Sequence, residues 1–162
     1  MAQQQRIVVG LDDSEGGRAA LAFALHDAAR RDATVEAVAA FEIPQYWMAL
    51  GGTMPITSTV DVREACRAQA ARIADEVCAA MADSFYELPE VTVVAVSGSP
   101  SAVLLHAARD ADLLVVGSRG RGGFTSAMLG SVSLHCVLHA RCPVTVVHPD
   151  SVPVARSAAA WA

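Results

Sequence analysis

The sequence predicts an α/β fold, an open, Rossmann-like parallel sheet of five strands with helices on both faces. Short runs rich in valine, isoleucine and leucine alternate with longer stretches of helical spacing, a pattern typical of βαβ units. Two of the short runs, IVVGLD and DLLVVGS, are hydrophobic almost without interruption, as expected for strands covered on both faces. A chain of 162 residues has room for one such domain but not comfortably for two.

The first part of the chain supplies two strands and the helix between them. Residues 7–12 are predicted to form a central strand. Ser14 is a suitable N-cap for the helix that follows, which runs to about Arg31. Residues 35–41 form a second strand, diluted by alanine. Two prolines and a Gly-Gly pair then predict a long loop over residues 42–60, where Tyr46 and Trp47 either gate a pocket or cover apolar surface.

The middle of the chain carries a long helix, a strand and a second helix start. The long helix is predicted from Asp61 to about Asp83, with Glu64 placed three residues on as in a capping box. Its apolar stripe consists of Val62, Cys66, Ile73 and Val77. Residues 91–96 are a third strand. Ser99 then serves as an N-cap before Pro100, a residue favoured at the first helical position.

The last part of the chain holds two strands on either side of a glycine-rich loop. Residues 112–118 form a fourth buried strand, and a helix from about Val132 to Ala140 leads to the final strand, PVTVVH. The predicted domain spans residues 1–149. The tail, residues 150–162, is rich in alanine without a period and is predicted to be disordered.

Composition excludes several classes of protein. A net charge of −5 argues against a nucleic-acid partner, because such binding needs a basic face. All 12 basic residues are arginine, so a P-loop, a Schiff-base enzyme and a kinase-type ATP site, which need lysine, are excluded. No apolar run reaches the roughly 20 residues of a membrane span. The start MAQQQRIVVG lacks the pattern of an export signal, and the four cysteines lack a disulfide framework, so we expect a cytoplasmic protein.

The glycine-rich loop after the fourth strand is the main candidate for binding chemistry. Its glycines follow the spacing Gly117-x2-Gly120-x9-Gly130-Ser131 and end where a helix begins. Free backbone N–H groups and the partial positive charge of a helix start favour an anion. Ser131 is expected to act as N-cap and hydroxyl donor. Arg119 and Arg121 add positive charge to the same loop. The alternative interpretation is a surface loop whose glycines only make turns.

A second candidate group lies at the end of the first strand. In open parallel sheets, ligands bind beyond the carboxyl ends of the strands, where the strand order reverses. Asp12, in the segment LDDS, is positioned to accept from ribose hydroxyls or to help hold a metal beside phosphates. The alternative is that Asp12 and Asp13 only cap the next helix. Ala40 and Val116 are candidates for the apolar slot that a purine base requires.

Five segments in this order and spacing resemble the universal stress protein family over residues 6–149. They are VVGLDDS, VSGSPSAVLLHAA, DADLLVVGSRGRGG, LGSVS and CPVTVVHP. The glycine spacing matches that family's ATP-binding pattern at every fixed position. The resemblance implies a sheet order of 3-2-1-4-5, ATP as ligand with Mg²⁺ left open, and a homodimer formed through the last strand, Val144 to His148.

The resemblance also implies roles for nine of the eleven candidate residues, all except Arg119 and Arg121. Asp12 takes the ribose side, and Leu11 and Ala40 flank the adenine. Val116 and Gly117 lie over the base and ribose. The phosphates are cradled by Gly120, Gly130, Ser131 and Val132.

Two other groupings are set aside. His135 and His139 stand four residues apart on the last helix, but no H-E-x-x-H motif accompanies them, and catalytic zinc needs further ligands. We therefore expect surface or interface histidines and no metal centre. No G-x-S-x-G motif marks a nucleophilic serine.

Three functions fit these features. The first is a nucleotide-binding regulatory protein of the stress response that turns over ATP slowly or not at all, and no catalytic residue is assigned. The second is an ATP hydrolase or nucleotidyl transferase, for which Asp13 is the one candidate to orient water. The third is a cyclic AMP binding protein, since its pocket would use the same parts.

Overall fold

The computed structural model describes residues 4–42, 59–85, 87–120 and 129–151. In this part of the chain, five strands and four α-helices alternate. They are β1 (Arg6–Gly10), α1 (Glu15–Arg31), β2 (Thr34–Phe41), α2 (Thr59–Met81), β3 (Val91–Ser97), α3 (Pro100–Ala107), β4 (Leu113–Gly117), α4 (Ser131–His139) and β5 (Val144–Val147). Short 3₁₀ turns follow α2, α3 and β5 at Ala82–Ser84, Ala108–Asp110 and Pro149–Ser151.

All five strands are parallel and lie in the order β3-β2-β1-β4-β5. The predicted fold class and strand order are therefore confirmed. Val8 of β1 lies between Glu36 of β2 and Leu114 of β4. The chain moves from β1 to one side through β2 and β3, and then returns to the other side through β4 and β5. The connections after β1 and β4 consequently diverge, which opens a crevice at the carboxyl edge of the sheet.

The sheet separates two hydrophobic layers. Ile7 and Val9 of β1 belong to the cluster formed with α1 and α2, whereas Val8 belongs to the cluster formed with α3 and α4. All three side chains are fully buried. The near-continuous hydrophobicity of the first strand thus follows from its central position between the two layers.

Helix starts agree with the sequence in two cases and differ in two. Ser14 is the N-cap of α1, and its hydroxyl oxygen accepts from Gly17 N at 3.0 Å. Ser99 is the N-cap of α3, with Pro100 in its first turn. The capping box at Asp61 is wrong, because α2 begins at Thr59 and Asp61 lies inside its first turn. Further along the helix, Glu64 pairs with Arg67 at 2.6 Å.

The fourth helix also begins earlier than predicted. Gly130 is its N-cap, and Ser131 is its first residue, so the prediction that Ser131 caps the helix is wrong. The first strand likewise ends at Gly10, which leaves Asp12 in the connection to α1. Tyr46, Trp47 and most of the predicted loop lie outside the described residues, as do residues 152–162 of the predicted tail.

The four cysteines are free thiols. Cys136, on the inner face of α4, is fully buried, and burial raises the pKa of its thiol to about 11. Burial also raises the pKa of Cys78 and Cys142. None of the described helices is long and apolar enough to cross a bilayer.

Candidate functional site

A cavity of about 660 Å³ lies at the carboxyl edge of the sheet, over the ends of β1, β2 and β4. Its volume is in the range of sites for small ligands and cofactors. Ten of the eleven predicted site residues line it: Leu11, Asp12, Ala40, Val116, Gly117, Arg119, Gly120, Gly130, Ser131 and Val132. The eleventh, Arg121, lies outside the described residues. The structure therefore brings together residues that are far apart in the chain, at the place where the topology predicts a ligand.

Asp12 is held in place by the residue that caps α1. Its Oδ1 accepts from Ser14 N at 3.2 Å and also from the Ser14 hydroxyl. The helix cap is thus Ser14, and Asp12 orients it from the side. A Cβ built on Gly120 would lie 2.9 Å from Asp12 Oδ2, so this second oxygen faces the glycine-rich loop. Asp12 is half-buried and is left with one carboxylate oxygen on the cavity side.

Two glycines bring α1 and β4 into backbone contact beside the cavity. A Cβ on Gly117 would lie 2.6 Å from the carbonyl carbon and oxygen of Gly16. A Cβ on Gly16 would collide with the carbonyl oxygen of Arg119. Since no side chain fits between these backbones, the start of α1 lies directly against the loop that leaves β4. Sequence reasoning assigned no role to Gly16, although a Gly-Gly pair at the start of a helix was a visible signal.

The start of α4 forms the opposite wall. Gly130 N donates to Ser118 O at 2.8 Å, and Leu134 N donates to Gly130 O at 2.9 Å. The Ser133 hydroxyl donates to Gly117 O at 2.5 Å. These bonds attach the helix start to the end of β4, while the N–H groups of the first helical turn lack partners within the helix. An anion in the cavity would meet these groups and the positive end of the helix dipole.

Helix α2 contributes a wall that sequence reasoning missed. Cys66, Gln69, Ala70 and Ile73 follow the i, i+3, i+4, i+7 spacing of one helix face, and all four line the cavity. The sequence placed only Cys66 and Ile73 of these four on the apolar stripe of the helix and assigned that stripe no part in a site, because a core stripe and a cavity wall have the same spacing. Ala70 and Ile73 are indeed buried, whereas Gln69 is exposed at the rim. Its amide supplies both a donor and an acceptor to this wall.

An ion-pair bridge ties the start of α1 to α2 near this wall. Arg18 contacts Asp13 at 3.0 Å and Glu76 at 2.9 Å. The hydrogen bond to Asp13, followed by that to Glu76, raises the pKa of Arg18. Asp13 is thereby paired and does not line the cavity, in contrast to its neighbour Asp12. No cluster of three or more metal-ligating side chains occurs among the described residues.

The sheet order and the position of the cavity define a doubly wound α/β domain of the kind that binds ligands at its topological switch point. The model of the universal stress protein family matches residues 4–148. The chain therefore belongs to the universal stress protein family, as its motifs indicated.

Curated relatives and solved structures agree with this assignment. A universal stress protein of Mycolicibacterium smegmatis is 33% identical over 145 residues, which cover 88% of this chain and 45% of the relative. Universal stress protein Rv2623 of Mycobacterium tuberculosis is 31% identical over 151 residues, 89% of this chain and 45% of the relative. This chain thus spans about half the length of these curated relatives.

Among solved structures, UspA from Lactobacillus plantarum superposes with a TM-score of 0.64 at 24% identity, covering 91% of this chain and 99% of that one. A universal stress protein solved in complex with cAMP gives a TM-score of 0.60 at 23% identity, covering 91% and 99%. A protein from Archaeoglobus fulgidus solved with dAMP gives 0.52 at 24% identity, covering 90% and 98%. At these identities the structures establish a common fold.

Proposed function

We propose that this chain is an adenine-nucleotide-binding regulatory protein whose main ligand is ATP. The observation that carries the proposal is the convergence of Asp12, Gly120 and the start of α4 on one cavity at the switch point of the sheet. One end of the cavity offers backbone N–H groups to phosphates, and the other is walled by β2 and α2. The cavity volume of about 660 Å³ is within the range of sites that hold cofactors and ligands of similar size.

Each part of the ligand has a matching part of the cavity. Glycines at positions 120 and 130 permit backbone to approach phosphate oxygens closely. The free oxygen of Asp12 can accept from a ribose hydroxyl. Ala40, Ala70 and Val116 supply apolar surface to the base. The solved relatives in complex with cAMP and dAMP support a ligand with an adenine base and at least one phosphate.

Whether ATP or cyclic AMP is the main ligand can be measured directly. The nucleotide that co-purifies with the protein is released by denaturation and identified by mass spectrometry. After its removal, calorimetric titrations with ATP, AMP, cyclic AMP and GTP give the order of affinities. ATP tightest supports the proposal, and cyclic AMP tightest supports the alternative that the cAMP-bound relative suggests. Failure of all four to bind would contradict both.

Magnesium would enter this site chiefly with the ligand. Asp12 is the only carboxylate among the described residues that line the cavity. Mg²⁺ is commonly bound by one or two carboxylates together with phosphate oxygens and water. Its one free oxygen can serve the ribose or the metal but not both; we assign it to the ribose, and Mg²⁺ on Asp12 is the alternative that the Asp12→Ala variant below tests.

We expect ATP turnover to be slower than about 1 per second, the low end for ordinary enzymes. Phosphoryl transfer depends on charge and a positioned nucleophile around the terminal phosphate. Asp13, the residue considered for orienting water, is paired with Arg18 and lies outside the cavity lining. Release of phosphate under saturating ATP and Mg²⁺ measures the rate. A faster rate that survives repurification and is lost in Asp12→Ala would instead indicate the hydrolase.

Asp12→Ala is expected to weaken ATP and AMP by the same factor, roughly 10- to 150-fold. The change removes one hydrogen bond to a charged group, which contributes about 1.5–3 kcal/mol, and the ribose is common to both nucleotides. Calorimetry with the two nucleotides gives the ratio. Asp13→Ala is the matched control, since it removes the neighbouring carboxylate and should leave both affinities unchanged. A loss confined to ATP would place Asp12 at the distal phosphates, through a metal.

The protein is further proposed to be a cytoplasmic homodimer that associates through the last strand. β5 is an edge strand of the sheet, paired with β4 alone among the described strands. Exposed backbone groups on such an edge favour pairing with another chain. Light scattering at micromolar concentration should give about twice the chain mass of 16.9 kDa. The monomer mass alone would refute the dimer.

A further inference from the structure

Two exposed histidines converge on the outer side of α4. His135 and His139 stand one helical turn apart, and both are exposed. Their ring centroids lie 4.4 Å apart, with an angle of 48° between the ring planes. Neither residue lines the cavity described above, so the pair has no part in the proposed nucleotide site.

The separation of the two rings is close to that of a metal chelate. Zinc–nitrogen bonds of about 2.0–2.1 Å at a tetrahedral angle place two imidazole nitrogens about 3.3 Å apart and the ring centres about 5 Å apart. The i, i+4 spacing alone brings only the Cβ atoms to within about 5–6 Å and leaves the rings free to diverge. Here the rings already approach each other, so little further movement is needed to bind one ion.

We propose that His135 and His139 together bind one divalent transition-metal ion on the surface of α4. Imidazole ligands suit Zn²⁺, Ni²⁺ and Cu²⁺, with Cu²⁺ the tightest of the three. Mg²⁺ and Ca²⁺ prefer oxygen ligands and are not expected to compete. In the described part of the chain no third histidine, cysteine or carboxylate completes a cluster. The remaining coordination positions are open to water, which makes the site exchangeable and distinct from a closed structural zinc site.

The position of the histidine pair means that a bound ion would stabilise the helix whose start lines the cavity. His135 lies one turn from Ser131, the residue at the start of α4 that lines the cavity. An ion bound by both imidazoles bridges the last two turns of this nine-residue helix. It therefore stabilises the helical form of a segment whose start faces the cavity, while making no contact with the cavity itself.

The test uses the full-length protein without an affinity tag, freed of nucleotide and titrated with Ni²⁺ in a calorimeter. The unmodified protein should bind one ion per chain at the pair. His135→Ala and His139→Ala should each weaken this binding by roughly 100-fold, because the second bond of a chelate is intramolecular. His106→Ala is the matched control. It removes an exposed histidine from α3 and should leave the affinity unchanged.

A second variant tests the spacing and not merely the number of histidines. His139→Ala combined with Val137→His keeps two exposed histidines on α4, at a spacing that places them on different faces. Its affinity should match that of His139→Ala, and circular dichroism confirms that it folds. Ni²⁺ should also raise the melting temperature of the unmodified protein and not that of this variant.

Three results would overturn the proposal. One is the absence of Ni²⁺ binding by the unmodified protein, and another is unchanged affinity in His139→Ala. The third is a loss of binding in His106→Ala as large as that in His135→Ala. None of these results depends on nucleotide, so the metal site and the proposed ATP site can fail independently.

Discussion

Replacing Gly130 with aspartate should abolish ATP binding while leaving the fold at least as stable as before. Gly130 has an ordinary extended conformation, with φ −61° and ψ 153°. A Cβ there would meet Ser118 O at 3.4 Å, an ordinary contact. Aspartate is also a preferred N-cap, so α4 should gain a cap that the glycine lacks. The new carboxylate, however, occupies the place where an anion would meet the helix start. At about 4 Å and an effective dielectric constant of about 20, one such like-charge pair costs about 4 kcal/mol, or roughly 1000-fold in Kd.

Gly130→Asp is informative because it should lower the affinity for ATP without lowering the stability of the fold. Calorimetry measures the affinity for ATP, and thermal unfolding measures stability in the absence of ligand. Gly130→Ala is the matched control, because it adds a Cβ without charge and should keep most of the affinity. Wild-type ATP affinity in a folded Gly130→Asp protein would remove the start of α4 from the site. A loss that is equally large in Gly130→Ala would assign the effect to space instead of charge.

Gly16→Ala should destabilise the protein by roughly 3 kcal/mol, at the upper end for overpacking. The added methyl group collides with the carbonyl oxygen of Arg119, so two backbone segments must separate. In an unobstructed helix, the same change would stabilise by up to about 1 kcal/mol, because alanine is the better helix former. The melting temperature should therefore fall by roughly 6–12 °C, against the sign that helix propensity predicts.

Thermal unfolding without nucleotide measures this effect directly. Ala29→Gly provides the opposite control, since Ala29 is exposed in the last part of the same helix and its replacement should cost about what propensity dictates. A rise in melting temperature for Gly16→Ala would show that α1 and the loop after β4 are not in backbone contact in solution.

Most of the fold could be predicted from the sequence, because its strands and helices differ in period and composition. The strands that lie between two layers, β1 and β4, were the clearest, since Val8, Val9 and Leu114 leave no polar gap. Two of the four helix starts, those of α2 and α4, were predicted wrongly. At α2, Asp61 and Glu64 have the spacing of a capping box, but the helix begins two residues before Asp61, at Thr59. Acidic residues are favoured throughout the first turn of a helix, so Asp61 and Glu64 indicate a helix start nearby without fixing its first residue.

Part of the candidate site could likewise be predicted from the sequence, and part could not. That the residues at strand ends and the spaced glycines line one cavity could be predicted, because topology places strand ends together and the glycine loop leaves one of those ends. The α2 wall could not, because Cys66, Ala70 and Ile73 have the periodicity of an ordinary core stripe. Such a stripe packs on the sheet along most of its length and lines a cavity only where the helix extends past the carboxyl edge of the sheet. The length of that extension is set by the packing of α2 on β2 and β3, which no local pattern encodes.

The cavity touches both hydrophobic layers of the domain. Ala70 and Ile73 belong to the cluster with α1 and α2, and Leu104 and Val116 to the cluster on the other face. A nucleotide bound in this cavity would contact both hydrophobic layers at once. Local unfolding of either layer would release the nucleotide. Binding would therefore slow the hydrogen exchange of backbone amides in both layers, and not only around the glycine-rich loop. Occupancy would then make the two faces of the sheet unfold as one cooperative unit.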